Sequence, residues 1–384
     1  MIRLADIRIR SKLVLLFILA GSVPLITVGF IASNLASESL MEKSFNQLTT
    51  VQNIRKTQIE DFFHQSFAHV RVLANSDRVH DLVDTLDQYL AAIEDKGLDT
   101  HSVRYQSMIQ PYLNPLKQQV DEYGFQDLYL VDTNEGKILF SLQGSDEIGT
   151  SLRHGQYRET GLAIAWRRAL ESGQTSIADF QPYAPRGGEE RAFIAQDIRD
   201  SAGRIVGVMV LQLTDQQVTR AVDSRKGMGQ TGESYLLGVS QDNSHFELRS
   251  NLKTMGEGKY VVGYSLKPLE YWRDTVRDGQ AGGHGTYFDS AGNRVLVAYD
   301  QLQITGLNWY LISKIDWNEV SAPVRKMYVY ILATATVLLI VVCAGALYLS
   351  RTLTRPIVRD MEFAEAIARG ELDATLEVDQ KDEL

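Results

Sequence analysis

The residues most able to do chemistry in this sequence are few, and their spacing does not form a catalytic set. The seven histidines are scattered and never show the H-x-x-x-H spacing that places two zinc ligands on one helix face. Gly227–Gly232 fits G-x-G-x-x-G, but it does not follow a strand and open a helix, so we interpret it as a turn. We therefore expect a binding protein that is not an enzyme and that needs no cofactor or metal.

Two uncharged apolar segments are long enough to anchor the chain in a membrane, and they would determine on which side of it a binding site lies. Leu13–Ala32 and Tyr328–Leu349 are each about 20 residues long, enough to cross a hydrocarbon core of about 30 Å. The alternatives are a cleaved signal peptide for the first segment and a buried core helix for the second. Signal peptides have shorter apolar regions, and core helices normally keep a polar face, so two membrane spans are the favoured prediction.

Basic residues flank the outer end of each segment, and such flanks stay in the cytoplasm. These residues are Arg3, Arg8, Arg10, Lys12, Arg351, Arg355 and Arg359. Both ends of the chain are therefore predicted to be cytoplasmic, with residues 34–326 exported. A net charge of −9 over 384 residues argues against a nucleic-acid partner, and the single cysteine, Cys343, excludes disulfides from the exported part.

The exported part begins with helices and continues as a mixed module with an antiparallel sheet. Apolar residues at three- and four-residue steps predict one long helix over 34–75, with further helices over 77–95 and 102–121. The other predicted elements of this module are strands at 128–131, 137–140, 175–183, 191–199 and 204–213, with a helix at 156–172 ending at Gly173.

A second, similar module is predicted to follow. Its elements are strands at 234–238, 285–289, 294–299 and 307–315, with a partly helical stretch over Tyr264–Asp278. The closing segments 207–218 and 308–320 have the same pattern, an apolar strand that turns into a polar helical exit, and they indicate a weak internal repeat. The exit at Trp317–Lys326 leaves little room for a flexible linker before the second span.

The long helix and two small modules between two spans resemble the double Cache architecture of bacterial receptors, and Gly227–Gly238 resembles the opening of its membrane-proximal module. The fold class implied is an α+β membrane protein in which two transmembrane helices flank two PAS-like modules. The predicted boundaries are 1–12 for the N-terminus, 13–33 for the first transmembrane helix, 34–122 for the helical region, 123–222 for the membrane-distal module, 223–326 for the membrane-proximal module, 327–349 for the second transmembrane helix and 350–384 for a partial HAMP segment.

The tail resembles a HAMP domain, with Arg355–Ile357 opening its first helix, Ile367–Leu372 closing it and Asp382–Glu383 where a second helix begins. This resemblance implies a transmembrane chemoreceptor of the methyl-accepting type in a bacterial inner membrane. The alternative is the sensory half of a membrane histidine kinase or cyclic-nucleotide enzyme. Several segments each have an apolar seam that suits packing against a second copy: the 35–75 helix, the spans and the 355–369 helix. We therefore expect a parallel homodimer surrounded by membrane lipid.

In the resembled family the signal molecule sits in the membrane-distal module, between the sheet and a covering helix, here Tyr157–Ala169. Aromatic residues with a few converging polar groups suit a small-ligand pocket. The predicted ligand-binding residues are Tyr129, Tyr157, Arg158, Trp166, Asp179, Phe180, Tyr183, Phe193, Gln196 and Gln212.

The ligand itself is predicted to be a small, carboxylate-bearing organic molecule. Amino-acid-sensing relatives have an R-x-W-Y run on the helix and an aspartate on the closing strand, whereas this chain has Trp166–Arg168 and Gln212. An arginine near the helix would bind a carboxylate in a bidentate manner, and the alternative for each one is a surface salt bridge. The candidates are Arg158, Arg167, Arg168 and Arg191.

Overall fold

A computed structural model describes residues 9–93, 97–144, 146–223, 225–240, 245–252, 258–266, 281–289 and 291–369. The chain forms two compact units, one of Met1–Lys43 with Val320–Leu384 and the other of Ser44–Glu319.

The first unit contains the two apolar segments, which lie in helices α1 (Ile9–Ala74) and α6 (Trp317–Ala368). Both helices are long and apolar enough to cross a membrane. Apolar side chains in these segments are exposed, for example Ile26 at 65% and Leu332 at 69%, which is unlike a core helix of a soluble protein. A Cβ at Gly21 would lie 3.4 Å from Val342, so a small residue permits close helix packing there.

Two further helices of the second unit pack with α1 on one face of a sheet. α2 (Asp77–Ile93) and α3 (Val103–Glu122) match the predicted helices, and the hydroxyl of Ser102 caps α3. Ile59, Phe63 and Val70 of α1 are buried in the same core, which confirms the helical periodicity of this stretch.

The first module contains a five-stranded antiparallel sheet in the order β2-β1-β5-β4-β3. Its elements are β1 (Asp127–Val131), β2 (Ile138–Ser141), α4 (Gly161–Ser172), β3 (Ser176–Tyr183), β4 (Glu189–Arg199), β5 (Ile205–Thr214) and α5 (Asp215–Val222). The predicted helix at 156–172 begins too early, because Thr160 is the N-cap of α4 and the residues before it form turns. Gly173 ends α4 in the left-handed conformation, as predicted.

The second module has the strand order β8-β7-β6-β11-β10-β9. Its strands are β6 (Glu233–Val239), β7 (Phe246–Leu248), β8 (Ser265–Leu266), β9 (Gly282–Phe288), β10 (Arg294–Gln301) and β11 (Trp309–Asp316). Five of them repeat the order of the first sheet, so the internal repeat is confirmed and β5 corresponds to β11. Of the stretch Tyr264–Asp278, predicted to be partly helical, residues 265–266 form a strand and residues 267–278 lie outside the described part of the chain.

Helix α6 begins immediately after β11 and is continuous to Ala368. The absence of a linker at Trp317–Lys326 is therefore confirmed. The predicted helix start at Arg355 is wrong, because the backbone is already helical from Trp317 onward. Residues 370–384, which include the predicted end of the HAMP helix, lie outside the described residues.

Candidate functional site

Five of the predicted ligand-binding residues come together between α4 and the face of the first sheet beneath it. Strand alternation places Tyr129, Phe193 and Gln212 on this face, and Tyr183 joins them from β3. The ring centroids of Tyr183 and Phe193 are 5.0 Å apart, and those of Tyr129 and Phe193 are 6.3 Å apart. The fifth residue, Trp166, projects from α4 into the same buried group.

A buried polar cluster adjoins these aromatic rings. It is defined by Asp127, Tyr129, Ser141, Glu147, Tyr183, Arg186 and Gln212. The Tyr129 hydroxyl donates to Oε1 of Gln212 and the Tyr183 hydroxyl donates to Oε1 of Glu147, each at 3.1 Å. Glu147 and Gln212 are fully buried, so both bonds are shielded from water.

The Arg186 guanidinium closes this polar cluster from a short 3-10 turn, Ala184–Arg186, that directly follows β3. Its Nη2 atom lies 2.9 Å from Oδ2 of Asp127, which also accepts from Ser141 at 3.0 Å. The Asp127 carboxylate is fully buried, whereas the Arg186 side chain is 22% exposed. A buried carboxylate requires such a partner, because an unpaired charge away from water is very costly.

Three buried polar atoms of the cluster lack a hydrogen-bond partner among the described residues. They are Oε2 of Glu147, Nε of Arg186 and Nε2 of Gln212. More than 90% of buried polar groups in proteins are paired with protein or water, so three such atoms in one cluster require an explanation. The cluster therefore has one acceptor and two donors available to ordered water or to a bound molecule.

Burial sets the protonation of the two tyrosines. It raises the pKa of Tyr129 and of Tyr183 far above the ordinary value, and the nearby carboxylate of Glu147 raises both further. Both hydroxyls therefore remain protonated donors. Burial also raises the pKa of Asp127, against the opposing effects of Ser141 and Arg186.

Two acids and one base, Asp127, Glu147 and Arg186, carry the ionisable charge of the cluster. With all three ionised the cluster has one excess negative charge. The carboxylate of Glu147 has no salt bridge among the described residues, although, against the opposing effect of burial, it is close enough to Arg186 to help raise the pKa of that guanidinium. A donor from a ligand would complete its hydrogen bonding, and the site favours a molecule that presents a donor and an acceptor together.

The covering segment contributes packing more than polar groups. The Trp166 indole N–H donates to the carbonyl of Asp132 at 2.9 Å, and its ring contacts Gly136, where a Cβ would lie 2.9 Å away. Tyr157 is half-buried against the same aromatic group. Arg158 is exposed and pairs with Glu159, so the structure places it outside the polar cluster.

Three other predicted residues lie away from the polar cluster. Gln196 is three residues from Phe193 and pairs in register with Met209, so it is on the opposite face of the sheet. Phe180 also packs in the core of that face, stacked on Trp309 at 6.0 Å. Asp179 accepts hydrogen bonds from Arg249 and Trp309 of the second module.

Four members of the cluster were not predicted: Asp127, Ser141, Glu147 and Arg186. Two signals were available, since Asp127 is two residues from Tyr129 on one strand face and Arg186 closely follows Tyr183. Glu147 comes from a segment without periodicity, and no sequence pattern indicated its position. Within the described ranges, no group of three or more His, Cys, Asp or Glu side chains could hold a metal ion.

Comparison with known proteins gives one family match and several similar structures. Residues 33–324 match the dCache_1 family of Cache domains. The ligand-binding domain of the Pseudomonas fluorescens chemoreceptor CtaA in complex with L-isoleucine is 16% identical, with 74% of this chain and 97% of that chain covered and a TM-score of 0.47. The ligand-binding domain of the Pseudomonas aeruginosa amino acid chemoreceptor PctB in complex with L-Arg is 18% identical, with 74% of this chain and 92% of that chain covered and a TM-score of 0.45. The sensory domain of the Campylobacter jejuni chemoreceptor Tlp3 is 14% identical, with 74% of this chain and 98% of that chain covered and a TM-score of 0.48. No curated protein matches the sequence.

Proposed function

The chain belongs to the Cache domain family, and from this premise we propose that it is the sensory part of a transmembrane receptor for a small molecule. The observation that carries the proposal is the direct passage from β11 into α6. The closing strand ends at Asp316 and the helix that contains the second apolar segment begins at Trp317. A strand that continues into a helix without a loop can transmit a small displacement, since no flexible residue absorbs it.

A carboxylate clamp at the start of α6 supports the same conclusion. The Glu319 side chain accepts hydrogen bonds from the backbone N–H groups of Gln230 and Thr231, both at 2.8 Å, and from the Thr231 hydroxyl at 2.5 Å. A Cβ at Gly229 would lie 2.3 Å from Glu319 Oε1, so glycine is required for this approach. These hydrogen bonds therefore connect the segment before β6, where the second module begins, to the start of α6, where it ends.

The buried polar cluster is the proposed ligand site. The three unpaired atoms call for a small molecule that donates to Glu147 and accepts from Arg186 and Gln212. A carboxylate on the ligand is compatible with Arg186, through a charge-assisted hydrogen bond. Entry requires the Ala184–Arg186 turn and the segment that carries Glu147 to open, since the cluster is otherwise enclosed.

The cellular assignments belong to the same proposal. The chain functions as a parallel homodimer in a bacterial inner membrane, with residues 34–326 exported. Its output is that of a methyl-accepting chemotaxis receptor acting through a HAMP segment. Reporter fusions at position 200 and at position 384 test the topology, and a cytoplasmic signal from position 200 would contradict it.

A thermal-shift screen of the full chain in nanodiscs against a metabolite library tests the ligand site. Hits are measured by calorimetry against Glu147→Gln and Tyr183→Phe, which alter the cluster. Tyr112→Phe is the matched control, because it removes a hydroxyl from a half-buried tyrosine of α3 that packs in the core on the opposite face of the sheet. We expect the two cluster variants to lose affinity while the control binds as the parent does. Equal affinity in all four proteins would reject this site.

A further inference from the structure

Asp179 connects the two modules. Both of its carboxylate oxygens lie 3.0 Å from Nε of Arg249, and Oδ1 also accepts from the Trp309 indole N–H at 3.0 Å. Asp179 is on β3 of the first module. Arg249 follows β7 and Trp309 begins β11, so both partners belong to the second module.

The partners of Asp179 are themselves tightly held. The Arg249 side chain is only 3% exposed, and its Nη1 donates to Glu247 at 2.9 Å. Gly238 makes room for it, because a Cβ there would lie 2.7 Å from the Arg249 Nε. The Trp309 ring packs edge-on against Phe63 of α1 at 5.4 Å. A displacement of Asp179 would therefore move the Arg249 and Trp309 side chains instead of being absorbed by solvent.

Strand β3 joins this contact to the polar cluster. Tyr183, which donates to Glu147, and Asp179 lie four residues apart on the same strand. A register shift between Ala178 and Gln181 interrupts the pairing with β4 at this point. Such an irregularity re-aims a side chain, and here the Asp179 side chain reaches the second module.

We propose that Asp179 is a positioning residue that transmits a change at the polar cluster through β3 to Arg249 and Trp309, and so to β11. The inference rests on the proposed function, because it assigns a route by which that ligand site reaches α6. Asp179 would act without touching the ligand. Substituting it would uncouple the two modules and leave ligand affinity unchanged.

A mutational cycle tests this coupling without a ligand, since Tyr183→Phe perturbs the polar cluster directly. Hydrogen exchange of the β11 amides, residues 309–316, is measured in the full chain in nanodiscs. Tyr183→Phe is made in the parent, in Asp179→Asn and in Asp200→Asn. Asp200 is the matched control, because it also pairs with an arginine, Arg204, but lies in the turn between β4 and β5.

We expect Tyr183→Phe to raise β11 exchange about fivefold or more in the parent and in the Asp200→Asn background. In the Asp179→Asn background it should have no further effect. Tyr112→Phe, which removes a tyrosine hydroxyl away from the polar cluster, should leave β11 unchanged in every background. The same increase in the Asp179→Asn protein, or no increase in the parent, would overturn the proposal.

A milder variant covers the case in which Asp179→Asn fails to fold. Trp309→Phe removes the indole N–H that donates to Asp179 and keeps a smaller aromatic ring in its place, and it should reduce the effect of Tyr183→Phe on the remaining β11 amides. An unchanged effect would count against the route. Because the perturbation is a mutation, a failed ligand screen would reject the polar-cluster site and leave this result standing. Loss of hit affinity in Asp179→Asn with normal coupling would instead make Asp179 a ligand contact.

Discussion

The two modules share a strand order but use the same positions for different purposes. In the first module Asp127 of β1 is in register with Gln212 of β5, and in the second Glu233 of β6 is in register with Lys314 of β11. The first pair belongs to the polar cluster that retains three unpaired atoms. In the second, Lys314 lies 3.4 Å from Glu233 and 3.5 Å from Asp289, and all three side chains are at most 8% exposed.

The comparison indicates how two copies of one sheet can take different roles, with one proposed to bind a ligand and the other to hold the structure together. None of the buried unpaired atoms among the described residues belongs to Glu233, Asp289 or Lys314. Lys314 lies between two carboxylates, so this cluster also has one excess negative charge, but both of its acids share a cationic partner. It holds its own strands together and has little left to offer a ligand. An incompletely paired cluster costs stability and can recover it on binding. The first module is therefore the proposed sensor and the second its support.

The largest effect that would sharpen this contrast is expected for Lys314→Met. The substitution leaves the carboxylates of Glu233 and Asp289 buried without their cation, which typically costs about 3–5 kcal/mol. Denaturant unfolding of the full chain measures the loss. Gln212→Met at the corresponding position of β5 is the matched comparison, and we expect it to cost less, because no charge is left uncompensated. Equal losses would break the contrast between the modules.

The next effect is on binding instead of stability. Glu147→Gln removes a buried charge that has no salt bridge among the described residues, so the unfolding midpoint should stay the same or rise. A ligand found in the screen should bind about 10–100-fold more weakly, since a hydrogen bond to a charged group contributes about 1.5–3 kcal/mol. Calorimetry and thermal unfolding on the same preparation give both values. A lower midpoint with unaltered affinity would identify the cluster as structural.

A smaller effect is expected for Thr160→Ala. Its hydroxyl accepts the Ala163 N–H and caps α4, the helix over the proposed ligand-binding face of the first sheet. Loss of an N-cap typically costs about 1 kcal/mol. Hydrogen exchange should increase in α4 and stay unchanged in β9–β11. A uniform increase in both modules would show that they do not open separately.

The smallest effect is a local pH dependence at the Glu319 clamp. Burial acts to raise the pKa of Glu319, but the hydrogen bonds from Thr231 and Gln230 lower it below its ordinary value of 4.5. A lowered pKa in the folded state means that the stabilisation is complete above 4.5 and is lost as the pH falls through the folded value. Exchange at residues 230–231 should therefore accelerate in acid, and Glu319→Gln should remove this dependence. The same acid response in the variant would assign it to another group.

The sequence predicted the elements well, because they depend on periodicity. Alternating apolar residues located the strands of the first module within two or three residues, and the paired closing segments predicted the repeat of β5 in β11. The ends depended on local chemistry that periodicity ignores. Thr160 caps α4 later than the apolar pattern indicated, and the short strand β7 is bounded by segments without a strand pattern.

The site was predicted less completely, for identifiable reasons. Tyr129, Tyr183 and Phe193 are large and buried, so residue type alone indicated them. Asp179 and Phe180 were grouped with them, but the register shift in β3 directs both toward other partners. Glu147 and Arg186 reach the polar cluster from non-periodic segments, and their positions depend on tertiary contacts that no local pattern encodes.

The unbroken helix α6 also makes the chain sensitive to its own residue count. One residue added within Trp317–Ala368 would advance everything after it by about 1.5 Å and rotate it by about 100°. Seven added residues would nearly restore the angular phase, with an offset of about 20°. The angular phase of each side chain along α6 is therefore set by its residue count from Trp317.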